Sequence, residues 1–381
     1  MKNQPLLTRI HLLVLLCFSQ QLFATEYSVK GVLDFRLTHN DTITSFREGG
    51  YGKFDLSEGE NLSLAQGGLS IKALWDNGIS AHLVANAYQQ NGDNKLGITE
   101  GFLKYVSLPN ESGYRWQSKL GIFYPEISLE NNAIAWASKN TLNSSAVNTW
   151  VGEEIRVLGN EYTLTRLGKF NNASFDISST LGFFVNNDPA GALLSWHGWT
   201  IGNRQTLWTE KVTLPPLFAL QPGQPLDGNQ AIASDPFYEV DNNPGWHGNV
   251  KIKWHKKGKL LLGFYNNNAT PYLIEKGQYG WRTRFYHLGV EWLLPQGWLL
   301  SGQYLYGDTL MQNHDRESVV ENDYSSAYVA LSKRINKHRY TLRLEEFSVT
   351  DNDAFPIDNN NEYGKSFTFN YTYRLSKPWF L

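Results

Sequence analysis

The sequence contains a single cysteine, Cys17, which lies in an N-terminal segment that we expect to be removed. Without it, the mature chain has no disulfide framework, no cysteine-based zinc site and no cysteine nucleophile. Leu16 precedes Cys17, where a lipoprotein needs a small residue, so lipidation is not expected.

Long apolar runs are also missing after residue 25. A membrane-spanning helix needs about 20 consecutive apolar residues. Only residues 1–24 approach this pattern, with Lys2 and Arg9 before an apolar run and Ala24 at a plausible cleavage point. This pattern predicts a secretory signal peptide over 1–24 and one mature domain over 25–381.

An excess of basic residues is missing as well. Without Lys2 and Arg9, the chain keeps 32 basic and 36 acidic side chains, a net charge of −4. This balance argues against a nucleic-acid partner, which favours a basic surface.

The common catalytic motifs are absent: there is no Gly-x-Ser-x-Gly turn, phosphate-binding loop or His-Glu-x-x-His helix. We therefore predict no enzymatic activity and no cofactor. His82, His247 and His287 fall on strand patterns and are interpreted as polar-face or interface residues. The acidic stretches 91–95 and 350–362 are interpreted as solvated loops rather than calcium or magnesium sites.

Aromatic residues, in contrast, are abundant. They make up 14% of the chain, although the mean hydropathy is only −0.40. The stretch 27–38 alternates strictly, with Leu33 and Phe35 on one face and Asp34 on the other, and 366–376 alternates in the same way. Alternation with aromatic residues near segment ends is typical of a transmembrane β-barrel, in which one face of each strand contacts lipid.

Similar segments recur along the whole chain and predict an all-β, antiparallel, up-and-down barrel. Fourteen strands are favoured, and sixteen remain the alternative, in which 205–214 is an additional strand. The predicted strands cover 27–38, 62–75, 79–88, 98–108, 114–124, 154–167, 173–185, 246–255, 258–266, 283–294, 298–307, 324–334, 338–349 and 366–376. Short turns alternate with long connections, which favours a barrel over a soluble β-sandwich or lectin. The predicted long connections are 39–61, 125–153, 186–245, 308–323 and 350–365.

Two further stretches resemble the porins of Gram-negative outer membranes. "KLGIFYPEISLEN" (119–131) is similar to the run that ends the fifth strand of several substrate-selective porins, and "FNYTYRLSKPWFL" closes the chain with an aromatic-rich strand. Porins usually end in an aromatic residue, whereas this chain ends in Leu381. The resemblance is to the class and matches no individual member.

The resemblance implies that residues 125–153 fold into the barrel as a constriction loop. Its predicted functional residues are Glu126, Glu130, Trp136, Trp150, Glu153 and Glu154, with the acids along one side of the opening. Opposite them, the polar faces of the first and last two strands provide a predicted pore-lining set: Lys30, Asp34, Arg36, Arg339, Arg343, Glu345 and Arg374. Arginines that face carboxylates favour polar or charged solutes. The same charges can also simply brace the wall.

The long connection 186–245 is predicted to cover the mouth of the barrel. Its candidate solute contacts are Trp196, His197, Trp199, Arg204 and Trp208, because aromatic faces beside hydrogen-bonding groups suit a sugar; burial of the loop as a lid or plug is the alternative.

We therefore predict an outer-membrane channel for passive diffusion of small hydrophilic solutes, either anions or sugars, surrounded by lipid and lipopolysaccharide. Its oligomeric state stays open between monomer and trimer. A non-conducting barrel that binds a ligand through its loops is the first alternative, and a membrane hydrolase with a Ser/His or Asp/His pair in space is the second.

Overall fold

A computed structural model describes residues 24–380 except for 57, 91–92, 203, 356, 358 and 377–378. The predicted signal peptide and the C-terminal Leu381 therefore lie outside the described residues, apart from Ala24. The fourteen long strands are β1 (Glu26–Asn40), β2 (Gly59–Leu74), β3 (Ile79–Gln90), β4 (Asp93–Val106), β5 (Tyr114–Phe123), β6 (Val157–Arg166), β7 (Phe175–Val185), β8 (Gly245–Trp254), β9 (Gly258–Asn266), β10 (Arg282–Leu293), β11 (Trp298–Gln312), β12 (Ser318–Ile335), β13 (His338–Asp351) and β14 (Glu362–Tyr373). The two α-helices of the described chain are α1 (Ala146–Glu154) and α2 (Ala192–His197).

Every long strand pairs antiparallel with the next, from β1 to β14, in a single sheet. The prediction of fourteen strands rather than sixteen is thus confirmed. In the doubtful segment 205–214, only Val212–Thr213 is extended, and it forms a two-residue ribbon with Ala233–Ser234. A similar ribbon joins Ile274–Glu275 to Gln278–Tyr279.

The sheet curls into a barrel. Gln66 on β2 and Arg343 on β13 are far apart in the strand order, yet both bind the loop between β5 and β6, at Ala135 and Asn143 respectively. A flat sheet cannot bring both strands to the same loop. The predicted pairing of the first strand with the last is not among the strand pairs found for the described residues, and it stays a prediction.

The two faces of the barrel wall differ as the sequence alternation predicts. Apolar side chains on the outer face are strongly exposed; Phe35 is 69% and Leu37 78% accessible on β1, and Phe367 is 66% accessible on β14. The intervening residues point inward and are mostly polar. An outward apolar band of this kind belongs to a barrel surrounded by lipid.

In the part of the chain that the structure describes, no helix is both long and apolar enough to cross a bilayer.

Several predicted boundaries were wrong. Residues 154–156 do not belong to β6, because Glu154 ends α1 and Val157 is the first strand residue. The predicted long connection 308–323 is a short hairpin, since β11 and β12 pair up to Gln312 and Ser318. The acidic stretch 91–95 is likewise not a loop throughout, because β4 begins at Asp93.

The barrel interior has two regions. We call the half near the long connections the loop side and the half near the short turns the turn side. The loop side contains α1, α2 and two clusters of buried apolar side chains, centred on Trp150 and Trp281. The interior of the loop side is therefore packed like a protein core.

Candidate functional site: the loop-filled lumen

The connection between β5 and β6, residues 124–156, is called the inward loop because its side chains bind inward-facing residues of the wall. A short 3-10 turn, Ile134–Trp136, lies against β2, where Gln66 donates a hydrogen bond of 2.9 Å to the Ala135 carbonyl. Ala135 has a left-handed backbone conformation with φ of 53°. Trp136 stacks on Tyr124 at 4.5 Å between ring centroids, which fastens the turn to the root of the loop.

Arg343, in the middle of β13, anchors the opposite side of the inward loop. Its guanidinium is completely buried and donates hydrogen bonds to the carbonyl oxygens of Asn143 and Ser144, both at 3.0 Å. It also pairs with Glu345 at 2.8 Å and with Glu130 at 3.2 Å. The planar fork of arginine suits several acceptors at once, and the loop is therefore held across the barrel from β2 to β13.

The carboxylates of Glu130 and Glu345 also cap the start of α1. Glu130 accepts hydrogen bonds from the Ser145 amide at 2.5 Å and from its hydroxyl at 2.6 Å. Glu345 accepts a bond of 2.7 Å from the Ala146 amide. Amides in the first turn of a helix lack partners within it, and negative charge is favourable there. Arg343, Glu130 and Glu345 thus form one buried unit that positions α1.

Trp150 fixes the other face of α1. It is 2% exposed, and its ring contacts Phe285 at 5.4 Å, Tyr324 at 5.2 Å and Trp199 at 5.8 Å between centroids, all at steep angles. The first two are inward residues of β10 and β12, and Trp199 belongs to the connection 186–244, which we call the plug loop. Edge-to-face aromatic contacts stabilise such packing beyond the burial itself.

Glu154 links the inward loop to the plug loop. Its carboxylate accepts hydrogen bonds from the Trp150 indole at 2.6 Å and from the amides of Gly191 at 3.1 Å and Leu193 at 3.0 Å, at the start of α2. Burial raises the pKa of Glu154 to about 7, against the lowering effect of these hydrogen bonds. The contact between the two loops therefore includes a group that titrates near neutral pH.

A second buried polar contact lies next to Glu154. The His197 Nε2 atom is 3.5 Å from a Glu153 carboxylate oxygen, at ion-pair distance, and the imidazole ring stacks on Phe46. Burial works to lower the pKa of His197, but the carboxylates of Glu153 and Glu154 outweigh it and raise the pKa. The imidazolium form therefore helps to neutralise two carboxylates that have no access to water.

The structure shows that most of the predicted constriction acids do not line an opening. Glu130, Glu153 and Glu154 are enclosed by the contacts described above, because each one bonds to backbone amides or faces a cation. Only Glu126 remains partly open, with 40% of its side chain accessible, and it pairs with Lys251 on β8 at 2.6 Å. The predicted loop tryptophans are also packing residues, Trp136 against Tyr124 and Trp150 in its aromatic pocket.

The predicted pore-lining set divides into two groups. Arg343 and Glu345 lie buried behind the inward loop, where they anchor it. The remaining members lie on the inner face of β1, β13 and the end of β14 without such enclosure: Lys30, Asp34, Arg36, Arg339 and Arg374. Asp34 and Arg36 pair with one another at 2.5 Å, and Arg339 donates a bond of 2.5 Å to the Lys139 carbonyl of the inward loop.

The turn side of the lumen carries further basic residues that the sequence analysis did not single out. They are inward-facing by strand register, and they are Lys72, Lys104, Arg115, Lys119, Lys251, Lys253, Lys259 and Arg334. The acids on the same part of the described inner wall are fewer, namely Glu26, Glu100, Glu161, Asp176 and Glu291. The alternation that identified Lys30 would also have found these residues, had it been applied to every strand. The wall on the turn side is thus predominantly basic.

The predicted solute contacts of the plug loop are mostly inaccessible. Trp196, His197, Trp199 and Arg204 are all at most 6% exposed. Trp196 packs edge-to-face on Trp281, and Arg204 pairs with Glu210 at 2.6 Å. Only Trp208 is partly accessible, and it stacks on Phe237. Burial of the loop as a plug, the alternative reading of these tryptophans, describes their placement better than contact with a sugar.

The three strand histidines face inward. His247 and His287 are buried, and His82 stacks on Phe102 at 4.6 Å. Ser80 lies 3.0 Å from His82, so a serine–histidine pair does exist. The charged side chains that act on His82 are Lys72, Lys104 and Lys119, with no carboxylate among them. A nucleophilic serine needs a histidine oriented by an acidic group, and this pair lacks one within the described residues.

One acidic cluster in the plug loop was not foreseen. Carboxylate oxygens of Asp188, Glu239 and Asp241 lie within 4.8 Å of one another. Burial, together with the two neighbouring carboxylates, raises the pKa of Asp188 to about 7. Asp188 accepts bonds from the amides of Val240 at 2.6 Å and Asp241 at 3.3 Å, so it serves as a structural acceptor within the loop.

No protein-family model matches the chain, and no curated protein matches it in sequence. Among solved structures, the chain is similar to the anion-selective porin from Comamonas acidovorans, with 12% identity, coverage of 92% of this chain and 86% of that one, and a TM-score of 0.49. It is also similar to the outer membrane channel DcaP of Acinetobacter baumannii, with 8% identity, 90% and 96% coverage and a TM-score of 0.39. OccD3 of Pseudomonas aeruginosa is similar with 11% identity, 92% and 68% coverage and a TM-score of 0.41. The solved structures to which the chain is similar include a porin.

Proposed function

We propose that this protein is an outer-membrane channel of the porin type, through which small hydrophilic solutes diffuse passively. The observation that carries the proposal is the inward loop, which is pinned across the barrel by Gln66 on one wall and Arg343 on the other. A loop held in this way narrows the lumen. The polar inner face continues past the loop toward the turn side, as a water-filled path requires.

The charge of the turn side favours anions. Several basic residues face each other across neighbouring strands, including Arg334 opposite Arg339 and Lys104 opposite Lys119. Rings of arginine and lysine in a narrow lumen raise the local concentration of anions and repel cations. Small anions are therefore the proposed solute class, ahead of neutral sugars, because the tryptophans that suggested a sugar contact are largely buried.

The reversal potential in a potassium chloride gradient tests this selectivity. For the wild type we expect a reversal potential whose sign indicates a preference for chloride. For the double variant Arg339→Gln/Arg374→Gln we expect the reversal potential to shift toward zero. Lys365→Gln is the control for a charge outside the lumen, since Lys365 lies on the outer face of β14; its loss removes one positive charge and should leave the reversal potential unchanged. A cation preference, or equal shifts for both variants, would contradict the proposal.

A second candidate function is a non-conducting barrel that acts through its external loops. The packed loop side favours it, because Trp150, Trp199 and Tyr324 belong to one continuous apolar cluster across the interior. Reconstitution in planar bilayers separates the two candidates: discrete current steps support the channel, and their absence over the full voltage range supports the plugged barrel.

A further inference from the structure

Four strands of the turn side, β2 to β5, bring three lysines and one histidine together on the inner face. Lys72 on β2 is the register partner of His82 on β3, and Lys104 on β4 is the partner of Lys119 on β5. Ser80 links the two pairs, because it is opposite Lys104 and lies 3.0 Å from the His82 ring. We call these five residues the lysine–histidine cluster.

Directly opposed like charges destabilise an antiparallel sheet. Lys104 and Lys119 are such a pair, and Lys72, Lys119 and the nearby Arg115 all act on Lys104 electrostatically. Glu161 is the carboxylate with the largest electrostatic effect on Lys104, and it is already bound to Lys119 at 3.0 Å; Glu100 also acts on Lys119. The cluster thus has three ammonium groups near two carboxylates. The cluster therefore keeps a local surplus of positive charge.

A second pair of opposed lysines on the opposite wall offers a comparison. Lys253 on β8 and Lys259 on β9 are also register partners. Each has a carboxylate as its partner on the other side, Asp176 for Lys253 and Glu291 for Lys259. The corresponding partners of Lys72 and Lys104 are the hydroxyl residues Ser28 and Ser80. Lys119 is the member of the cluster that has an acidic register partner, Glu161. The opposed pair Lys104–Lys119 thus has one flanking carboxylate, whereas the pair Lys253–Lys259 has two.

The remaining contacts give the cluster a defined shape. His82 is stacked on Phe102 with an interplanar angle of 12°, and the Lys119 ammonium lies 4.3 Å from the centroid of the Phe123 ring. These contacts restrict the ring and the ammonium group, so the donors are partly preorganised. Two or three ammonium groups together with a hydroxyl and an imidazole suit an anion with several oxygens and more than one negative charge.

We infer that the lysine–histidine cluster is a binding station for phosphoryl anions, either free phosphate or the phosphate group of a phosphorylated small molecule. The inference deepens the proposed function and rests on it in one respect, namely that the cluster faces the path of the solute. A single-charge anion such as chloride needs neither the number of donors nor their arrangement. The station therefore distinguishes phosphoryl anions from small monovalent ones.

Equilibrium dialysis tests the station without requiring conduction. Radiolabelled inorganic phosphate is dialysed against the detergent-solubilised protein at constant ionic strength in sodium chloride. We expect saturable binding to the wild type and a loss of about tenfold in affinity for each lysine removed in Lys72→Gln/Lys104→Gln. Lys253→Gln/Lys259→Gln is the matched control, because it removes the same charge from an opposed pair and should leave the affinity within about twofold.

A competition measurement and a serine variant extend the dialysis experiment. Competition with glucose phosphate, compared with unlabelled inorganic phosphate, distinguishes a phosphoester ligand from free phosphate. Ser80→Ala removes a donor without changing charge, and we expect weaker phosphate binding; it also serves where the double lysine variant fails to show the gel shift of a folded barrel. Absence of saturable binding to the wild type, or equal losses in the two lysine doubles, would overturn the inference. A protein that binds phosphate but shows no current steps would instead refute only the channel.

Discussion

The role of Arg343 as the anchor of the inward loop leads to a quantitative prediction. Replacement by alanine leaves Glu130 and Glu345 without their countercharge, and both side chains are at least nine-tenths buried. Removal of one partner from a buried ion pair costs about 3–5 kcal/mol. If this cost falls on docking of the loop, the ratio of docked to undocked loop decreases by a factor of about 150 to 5000.

Limited trypsin digestion measures this change. Lys139 lies on the exposed part of the loop, but cleavage after it requires the chain to leave the wall, where Arg339 holds its carbonyl. We expect the cleavage rate at Lys139 to increase by at least about a hundredfold in Arg343→Ala. Arg343→Lys should give an intermediate rate, because lysine keeps the charge but not the planar fork.

Arg284→Ala is the control for that experiment. Arg284 also pairs with a carboxylate, Asp308 at 2.8 Å, but both side chains are substantially exposed. A surface pair of this kind contributes at most about 1 kcal/mol, so the cleavage rate at Lys139 should hardly change. An Arg343→Ala rate within twofold of the wild type would refute the anchoring role.

Three further predictions concern the packed loop side. Trp150→Ala should lower the free energy of unfolding by about 3–5 kcal/mol, because it leaves a cavity between three aromatic rings, and the apparent melting temperature of the purified protein measures the loss. Glu154 has a pKa raised from 4.5 to about 7, so its contribution favours the folded state below pH 4.5 and is lost as the pH rises through 7. Glu154→Gln should flatten the pH dependence of the melting temperature over this range. An unchanged slope would contradict the raised pKa of Glu154. The pKa of His197 is also raised, so stability should fall further as the pH rises through that pKa, and His197→Gln should remove the additional decrease, provided that unfolding is followed at constant ionic strength.

The barrel itself could be predicted from the sequence because its signal is local and repeated. In β1, Leu33 and Phe35 alternate with Asp34 and Arg36, and lipid on one side with water on the other requires that alternation. Strand ends were less predictable. The hairpin between Gln312 and Ser318 extends beyond the most regular alternation, and pairing between the two strands decides where it ends.

The interior of the loop side could not be predicted in the same way. The segment 146–154 has no clear apolar stripe, yet every one of its residues is buried. Its position depends on Glu345, about 200 residues later in the chain, and on aromatic residues of β10 and β12. Glu153 and Glu154 were expected at an opening because they are charged; they are buried because His197 and the amides of α2 supply their partners. Such distant contacts leave no pattern in the local sequence.

The basic residues of the turn side could be predicted in part. Its residues follow from strand parity, and Lys72 and Lys104 are on the polar faces of well-predicted strands. The charge around each residue depends on strand register, which the sequence does not specify. Only the pairing shows that Lys104 lies between Lys119 and Ser80, whereas Lys259 lies between Lys253 and Glu291.

Single-channel recording of the purified protein in planar bilayers tests the central claim most directly. A channel narrowed by an anchored inward loop predicts small, discrete current steps for the wild type and larger steps for Arg343→Ala, in which the loop leaves the lumen. Absence of steps in both proteins, while each shows the gel shift of a folded barrel, would contradict the channel. Equal step sizes in the two proteins would contradict the constriction.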